Sequence, residues 1–384
     1  MNQPNHCTKE LNGAVWDPDC ASWRIVEKQA AKECLRSPKF SNGARIEGLF
    51  QRALQGSNCT KSYPALRRFT KARLGLLDGA EHKKLRAALQ PAFTQKSLAG
   101  LRPNLSRIAQ KHANACAAHT RFDLLTTYIQ PMVQQMLLEL LEFPPGCWAK
   151  IERWAACQTR FYIGQPDPAA QKQVADAAQA AVLQYEAFFL AQAACRTDDP
   201  ASPSLLSLLQ ALPRFASRER EAELAAVCLN VLTAGYWPVV SALSTTIPLT
   251  LDQGKLHPDT PDENAALIDS ALLQATPAQH VARVTTEQVT LASVKIKSGA
   301  QCLVSLSALT QDLSGSGPNS AFGLGPHYCL GSRLAQMMME EAVTALFVAC
   351  SNLEAEAPLS PSDPRSGLRH IPHFWLQNPQ AQTP

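Results

Sequence analysis

Three hundred and eighty-four residues is two to three times the usual single-domain length, a size that some architectures reach as one unit. With 46% apolar and 18% charged residues the chain can bury a large core, which excludes disorder, collagen and a coiled coil. Thirty-six basic against thirty-two acidic residues leave +4, too little for a nucleic-acid footprint without a clustered stripe, and twelve cysteines with no Cys-x-x-Cys pair fit neither a disulfide scaffold nor the common structural-zinc spacing, which points to free thiols in a reducing cytosol.

Met1–His6 shows no basic region followed by an apolar one, so no secretory signal is expected. Residues 1–20 are expected to be a loosely ordered lead-in to a single domain spanning 1–384. Apolar positions then recur with a 3.6-residue period over 22–38, 81–93, 97–117, 122–142, 169–195, 217–246, 263–274 and 332–351, which predicts helices. Arg196–Pro203 reads as a surface loop. The stretch from Leu224 up to Asp252 carries no charge and is long enough to span a bilayer. Asn230, Thr233, Pro238, Ser241, Ser244, Thr245 and Thr246 lie inside it, so it reads as a helix buried in a large protein, with no membrane span. Strands are few: Val289–Ile296, then a Lys297–Gly299 turn and Gln301–Leu306, with His373–Leu376 near the end. The expected fold is mainly α with a small β region.

One segment carries the chemistry: Ala321-Phe-Gly-Leu-Gly-Pro-His-Tyr-Cys-Leu-Gly331. Its glycines let the backbone pass close to a flat ligand. A helix follows at once, with Leu334, Met338, Ala342 and Leu346 along one face. The positive end of that helix and the loop N–H groups favour a thiolate at Cys329, suited to binding a metal centre. Taken alone, a cysteine in a tight turn is as well read as a buried structural thiol.

The whole string, Phe322-Gly-x-Gly-Pro-His-x-Cys-x-Gly331, closely resembles the haem-binding loop of the bacterial cytochrome P450 family. The resemblance implies a haem-thiolate fold and haem b iron ligated by Cys329, with Phe322 beside the thiolate, Gly323 and Gly331 shaping the loop, and His327 reaching a haem propionate. Asp78-Gly-Ala-Glu-His82 … Arg86 … Phe93 resembles the family's C helix. His82 and Arg86, four apart, share a helix face and would clamp a propionate. Arg283 matches another propionate-binding arginine. Trp23–Phe40 and Phe122–Pro145 resemble the opening strand with the B helix and the E-helix region, so the resemblance covers nearly all of 20–376. No reductase-like segment is expected within these residues.

Three departures stand out. At the family's Glu-x-x-Arg the chain has Ser270 and Leu273, with Asp269 one place off and turned about 100° away. The connection Ser305–Asn319 is shorter than the family's meander. The two losses match, because a buried Glu–Arg pair without its meander partner is costly. In the I helix, Ala234-Gly235-Tyr236-Trp237-Pro238 keeps the small pair but replaces the acid–alcohol pair that delivers protons during dioxygen cleavage; Trp and Pro do neither. Gly235 would leave room above the haem and Trp237 is expected as a wall of the distal pocket. Pro238 is expected to open the helix at the Ala234 carbonyl. The fatty-acid peroxygenase branch also has proline here, but an arginine where this chain has Trp237.

The leading expectation is a cytoplasmic, monomeric monooxygenase of a small apolar metabolite in secondary or catabolic metabolism. A ferredoxin and ferredoxin reductase would dock on Lys83, Lys84, Lys96 and Arg333. The alternatives are a peroxide-dependent or redox-neutral haem enzyme (peroxygenase, dehydratase or isomerase) and a non-catalytic partner protein. Tyr236, Trp237, His280 and Phe374 are expected to line the substrate pocket.

Overall fold

A computed structural model describes residues 13–55, 63–194, 204–217, 220–252, 261–310, 318–358, 368 and 373–381. Residues 1–12 of the expected lead-in, the 196–203 loop and residues 311–317 of the shortened connection lie outside the described residues. Ten strands are present among these: β1 Ala14–Asp17, β2 Ser22–Ile25, β3 Phe40–Ser41, β4 Arg121–Asp123, β5 His280–Thr285, β6 Val289–Leu291, β7 Val294–Ile296, β8 Gln301–Ser305, β9 Glu354–Ala355 and β10 Trp375–Gln377. The helices are α1 Lys28–Arg36, α2 Gly43–Ala53, α3 Pro64–Lys71, α4 Gly79–Leu89, α5 Gln95–Leu98, α6 Arg102–Ala117, α7 Gln130–Leu140, α8 Trp148–Ile163, α9 Pro168–Ala194, α10 Leu205–Gln210, α11 Glu221–Asp252, α12 Pro261–Ala275 and α13 Ser332–Ala349. The architecture is mainly α with a small β region.

Two buried clusters organise it. A sheet of order β1-β2-β8-β5-β3 packs with α1 around Ile25, Leu291, Ile296 and Val304. β2 runs parallel to β8, and β5 pairs antiparallel to β8 with Arg283 opposite Cys302. The much larger helical core surrounds α11, whose 32 residues extend about 48 Å. That helix is long and apolar enough to cross a membrane, but 61% of its most apolar window is buried inside the fold. It remains helical through Pro238 and Pro248, so the expected opening at Ala234 does not occur. Around the second proline, the hydroxyls of Ser244, Thr245 and Thr250 donate back to carbonyls of the preceding turn, a common accommodation in buried helices.

Two strand expectations change. Val289–Ile296 is not one strand but a β6–β7 hairpin, turned by Ala292 and Ser293 at φ 45° and 67°. Neither residue advertises a left-handed turn as Asn-Gly would. β5, read only as a site-bearing segment, is a central strand.

Candidate functional site

The Cys329 loop is built by local contacts. Asn319 accepts from the Ala321 N–H and starts a single 3-10 turn, Ser320–Phe322. Gly325 has φ 74°, and a Cβ there would stand 2.8 Å from the Leu35 carbonyl oxygen of α1, so the loop reaches α1 only as glycine. The Cys329 N–H donates to the Phe322 carbonyl at 3.0 Å, closing the loop three residues before α13 begins. Cys329 lines a cavity of about 320 Å³ and is exposed to it. Burial raises its thiol pKa, opposed by the Gly331 N–H and the Arg86 charge. Phe322 and Tyr328 stand edge to face, with centroids 6.4 Å apart, and both line the cavity.

The rim beside the sulfur is rich in N–H donors. α4 brings His82 and Arg86 to the cavity wall together with His327. Arg86 Nη1 donates to the Tyr328 carbonyl at 2.7 Å, pinning α4 to the loop. His82 is 2% exposed and its Nε2 has no hydrogen-bond partner. Burial, then the His327 and Arg86 charges, pull its pKa down to about 4. The His82 and His327 rings lie 4.2 Å apart. His327 Nε2 sits 3.2 Å from Asp78 Oδ1, while Asp78 Oδ2 accepts from Ser41 Oγ and the Gly43 N–H. Burial opposes charge on Asp78, but the bonds from His327, Ser41 and Gly43 outweigh it and hold the carboxyl well below its usual range. Arg283 is buried behind this rim on β5 and does not line the cavity; its guanidinium donates to the Ala282 carbonyl at 2.7 Å.

Opposite the loop, one stripe of α11 forms the wall: Val227, Asn230, Ala234, Gly235, Pro238 and Ala242, at the spacing of a single helix face. A Cβ on Gly235 would meet the Leu137 side chain at 3.1 Å, so its smallness serves packing against α7 as well as the cavity. Trp237 does not wall the pocket. It lies at the edge of the stripe, 41% exposed, with its ring 4.9 Å from Tyr236. Tyr236 faces α7 and α8, where Gln134 Nε2 donates to its hydroxyl and Trp148 packs on it. His280 on β5 and Phe374, buried in the helical core, are likewise absent from the cavity wall.

Sequence reasoning passed over two site residues. Asp78 was visible only as the start of α4, since a residue that bonds 249 positions away has no local signal. Asp269 was read as turned away. Instead it accepts from Asn319 Nδ2 at 3.0 Å and Gln336 Nε2 at 2.7 Å, joining α12 to the loop and to α13. Ser270 is exposed and Leu273 half-buried.

No family model matches the chain. It is 26% identical over 378 residues to pentalenic acid synthase of Streptomyces avermitilis, covering 92% of this chain and 88% of that protein. It is 23% identical over 294 residues to cytochrome P450 130 of Mycobacterium tuberculosis, covering 72% and 71%. The fold matches the crystal structure of CalO2 with TM-score 0.77, 18% identity and coverage of 97% and 94%.

Proposed function

We propose that the chain is a cytochrome P450, like the relatives it resembles, and that the cavity between α11 and the Ala321–Gly331 loop would hold haem b through the Cys329 thiolate. The fit rests on chemistry present in the cavity. Among the described residues no group of three His, Cys, Asp or Glu side chains is placed to hold a bare metal ion, so a metal bound through Cys329 would bring further ligands of its own, as haem does. The carboxylates of that macrocycle would supply an acceptor for the buried His82 Nε2 and an anion for Arg86, while His327 is already paired with Asp78. Arg283 would add charge from behind rather than direct contact.

When bound, the haem supplies oxidation of a C–H bond with dioxygen and two electrons. The chain's own residues do the rest. Gly331 N–H and Arg86 favour negative charge at the sulfur against the cost of burial. Phe322 and Leu330 line the same cavity. The α11 stripe and Leu137 exclude water and present an apolar surface to substrate. We read the activity as monooxygenation of a small, largely apolar metabolite in the cytoplasm by a monomer. Lys83, Lys84, Lys96 and Arg333 are all exposed and would receive a ferredoxin.

A second reading draws on a specific observation: the α11 stripe offers neither acid nor alcohol to the cavity. Proton delivery must then come from water or substrate, which favours peroxide-driven or redox-neutral turnover. The carrying observation for both readings is Cys329 and the unpartnered His82 in the wall of one cavity. The test is the absorption spectrum of the reduced protein under carbon monoxide. The red-shifted Soret band of a thiolate-ligated iron is expected; its absence in a haem-loaded sample overturns the assignment.

A further inference from the structure

We propose that Asp78 is a positioning residue: it commits the tip nitrogen of His327 to a structural bond and leaves His82 as the imidazole that donates to a haem carboxylate. The inference rests on the cavity being the haem site, as read above. It departs from the expectation that His327 reaches a propionate. Asp78, His82 and Arg86 stand four apart and share one face of α4. All three meet the end of the cysteine loop. Asp78 Oδ1 lies 3.2 Å from His327 Nε2, the His82 ring lies 4.2 Å from the His327 ring, and Arg86 Nη1 donates to the Tyr328 carbonyl at 2.7 Å. The outer two residues tie the loop to α4, and His82 stands between them.

Hydrogen-bond chemistry assigns the roles. A carboxylate only accepts, so His327 Nε2 carries a proton and donates it to Asp78. Asp78 is itself held in place. As the N-cap of α4 its side chain would ordinarily accept from the first N–H groups of that helix, yet it makes no such bond. Its Oδ2 accepts instead from Ser41 Oγ at 2.7 Å and from the Gly43 N–H at 2.6 Å, at the start of α2, where a helix N-terminus favours a carboxylate. Ser41 Oγ in turn accepts from the Ala44 N–H at 2.8 Å. A Cβ on Gly43 would stand 3.0 Å from Oδ2, so α2 and the carboxylate are closely fitted. For His327 to turn its tip toward the cofactor, its bond must break and leave one oxygen of a fixed, half-buried carboxylate without that donor. His82 is the opposite case. It lines the cavity, is 2% exposed, and its Nε2 has no partner. A buried ring nitrogen left unpaired is costly, and an anion in the cavity fixes that nitrogen as the N–H donor.

The test reads imidazole N–H resonances by NMR in the full chain carrying isotope-labelled histidine, first haem-free and then as the diamagnetic ferrous carbon monoxide complex. The haem-free protein should show a slowly exchanging Nε2–H that is lost in His327→Gln, a variant whose amide still donates to Asp78. Asp78→Ala should speed exchange of that proton by about tenfold or more, and Asp78→Asn, whose amide oxygen still accepts, by less. Haem loading should leave this resonance in place and add a second one, absent in His82→Gln. Haem transfer to apomyoglobin should quicken by about tenfold in His82→Gln and by less than about threefold in His327→Gln. Unchanged exchange in both Asp78 variants overturns the proposal, as does loss of the His327 resonance on loading or a loaded spectrum that His82→Gln does not alter. Absorption spectra of the same samples separate it from the cofactor reading. A His82 proton that appears on loading without the thiolate-type band supports the donor assignment and counts against Cys329 ligation. The thiolate-type band with no such proton overturns the donor assignment alone.

Discussion

Gln336 Nε2 donates to Asp269 Oδ1 at 2.7 Å, and through that bond α13, which follows the cysteine, is tied to α12. Asn319 Nδ2 donates to the same carboxylate oxygen and to the Asp269 carbonyl, each at 3.0 Å. The residue that starts the cysteine loop is held by the same acid. Family members brace this region with Glu-x-x-Arg and a meander. Here one residue, Asp269, takes three hydrogen bonds from two neutral amides, two on its carboxylate and one on its backbone carbonyl. No buried ion pair is needed, so the desolvation cost of one is avoided.

Asp269→Ala is therefore expected to loosen the cofactor loop. Two amides lose their acceptor, a loss of about 1–3 kcal/mol, which corresponds to roughly 5- to 150-fold faster haem transfer to apomyoglobin if the open loop is the route of escape. Asp269→Asn should retain the Gln336 bond only in part and fall between. Transfer as slow as in the unmodified protein would show that the loop is held elsewhere, by Arg86 on the Tyr328 carbonyl for instance.

Cys329→Ala should abolish the red-shifted Soret band of the reduced carbon monoxide complex. Because the loop is closed by the Cys329 N–H to Phe322 carbonyl bond, which alanine preserves, the variant is expected to fold. Far-ultraviolet circular dichroism checks the fold in the same sample. Survival of the band would mean that another group supplies the thiolate.

How far the sequence revealed this site depended on how local each signal was. The Cys329 loop, α4 and α13 are contiguous and strongly patterned, and their side chains do converge on one cavity. The α11 stripe was legible in period but not in phase. Trp237 falls just outside it, and whether an edge residue turns in or out depends on its neighbours, here Tyr236. Arg283 was expected as a propionate-binding arginine, but its strand register opposite Cys302 sets it behind the rim. The Asp78–His327, Asp269–Gln336 and Arg73–Asn230 contacts join residues 249, 67 and 157 positions apart, and no local pattern reports such pairs. α2, α3, α8 and α10 were not read as helices at all. α3 and α10 are short, and α8 packs against α9, a tertiary contact that local sequence does not report.

Acid should destabilise the haem-free protein in a window set by His82. Its folded pKa is pulled down to about 4 from 6.5, because the native fold favours the neutral ring. Between those values the unfolded chain binds the extra proton and the folded one does not. Stability is then complete above the unfolded pKa and falls as pH drops from about 6.5 toward 4, by a few kcal/mol in total. Asp78, also depressed, adds a second loss below the usual carboxylate range. Urea midpoints across this range check the slope; His82→Leu should flatten the upper limb and leave the lower one.

The last prediction concerns proton supply along α11. Pro238 lies on the cavity stripe and Trp237 beside it is largely outward, so the two positions are not equivalent. Pro238→Thr restores an N–H to the helix, giving the Ala234 carbonyl its missing partner, and places a hydroxyl on the cavity wall that can donate and accept a proton. Trp237→Glu sets a carboxylate at a site 41% exposed, where it is solvated and too far around the helix to serve the cavity alone. Product formed per NAD(P)H consumed should rise in Pro238→Thr and stay unchanged in Trp237→Glu, while peroxide-driven turnover changes little in either. A stoichiometry near one in the unmodified protein, unaffected by Pro238→Thr, would show that water or the substrate's own polar group already delivers the protons. A rise in Trp237→Glu alone would instead place that residue on the cavity side of the stripe.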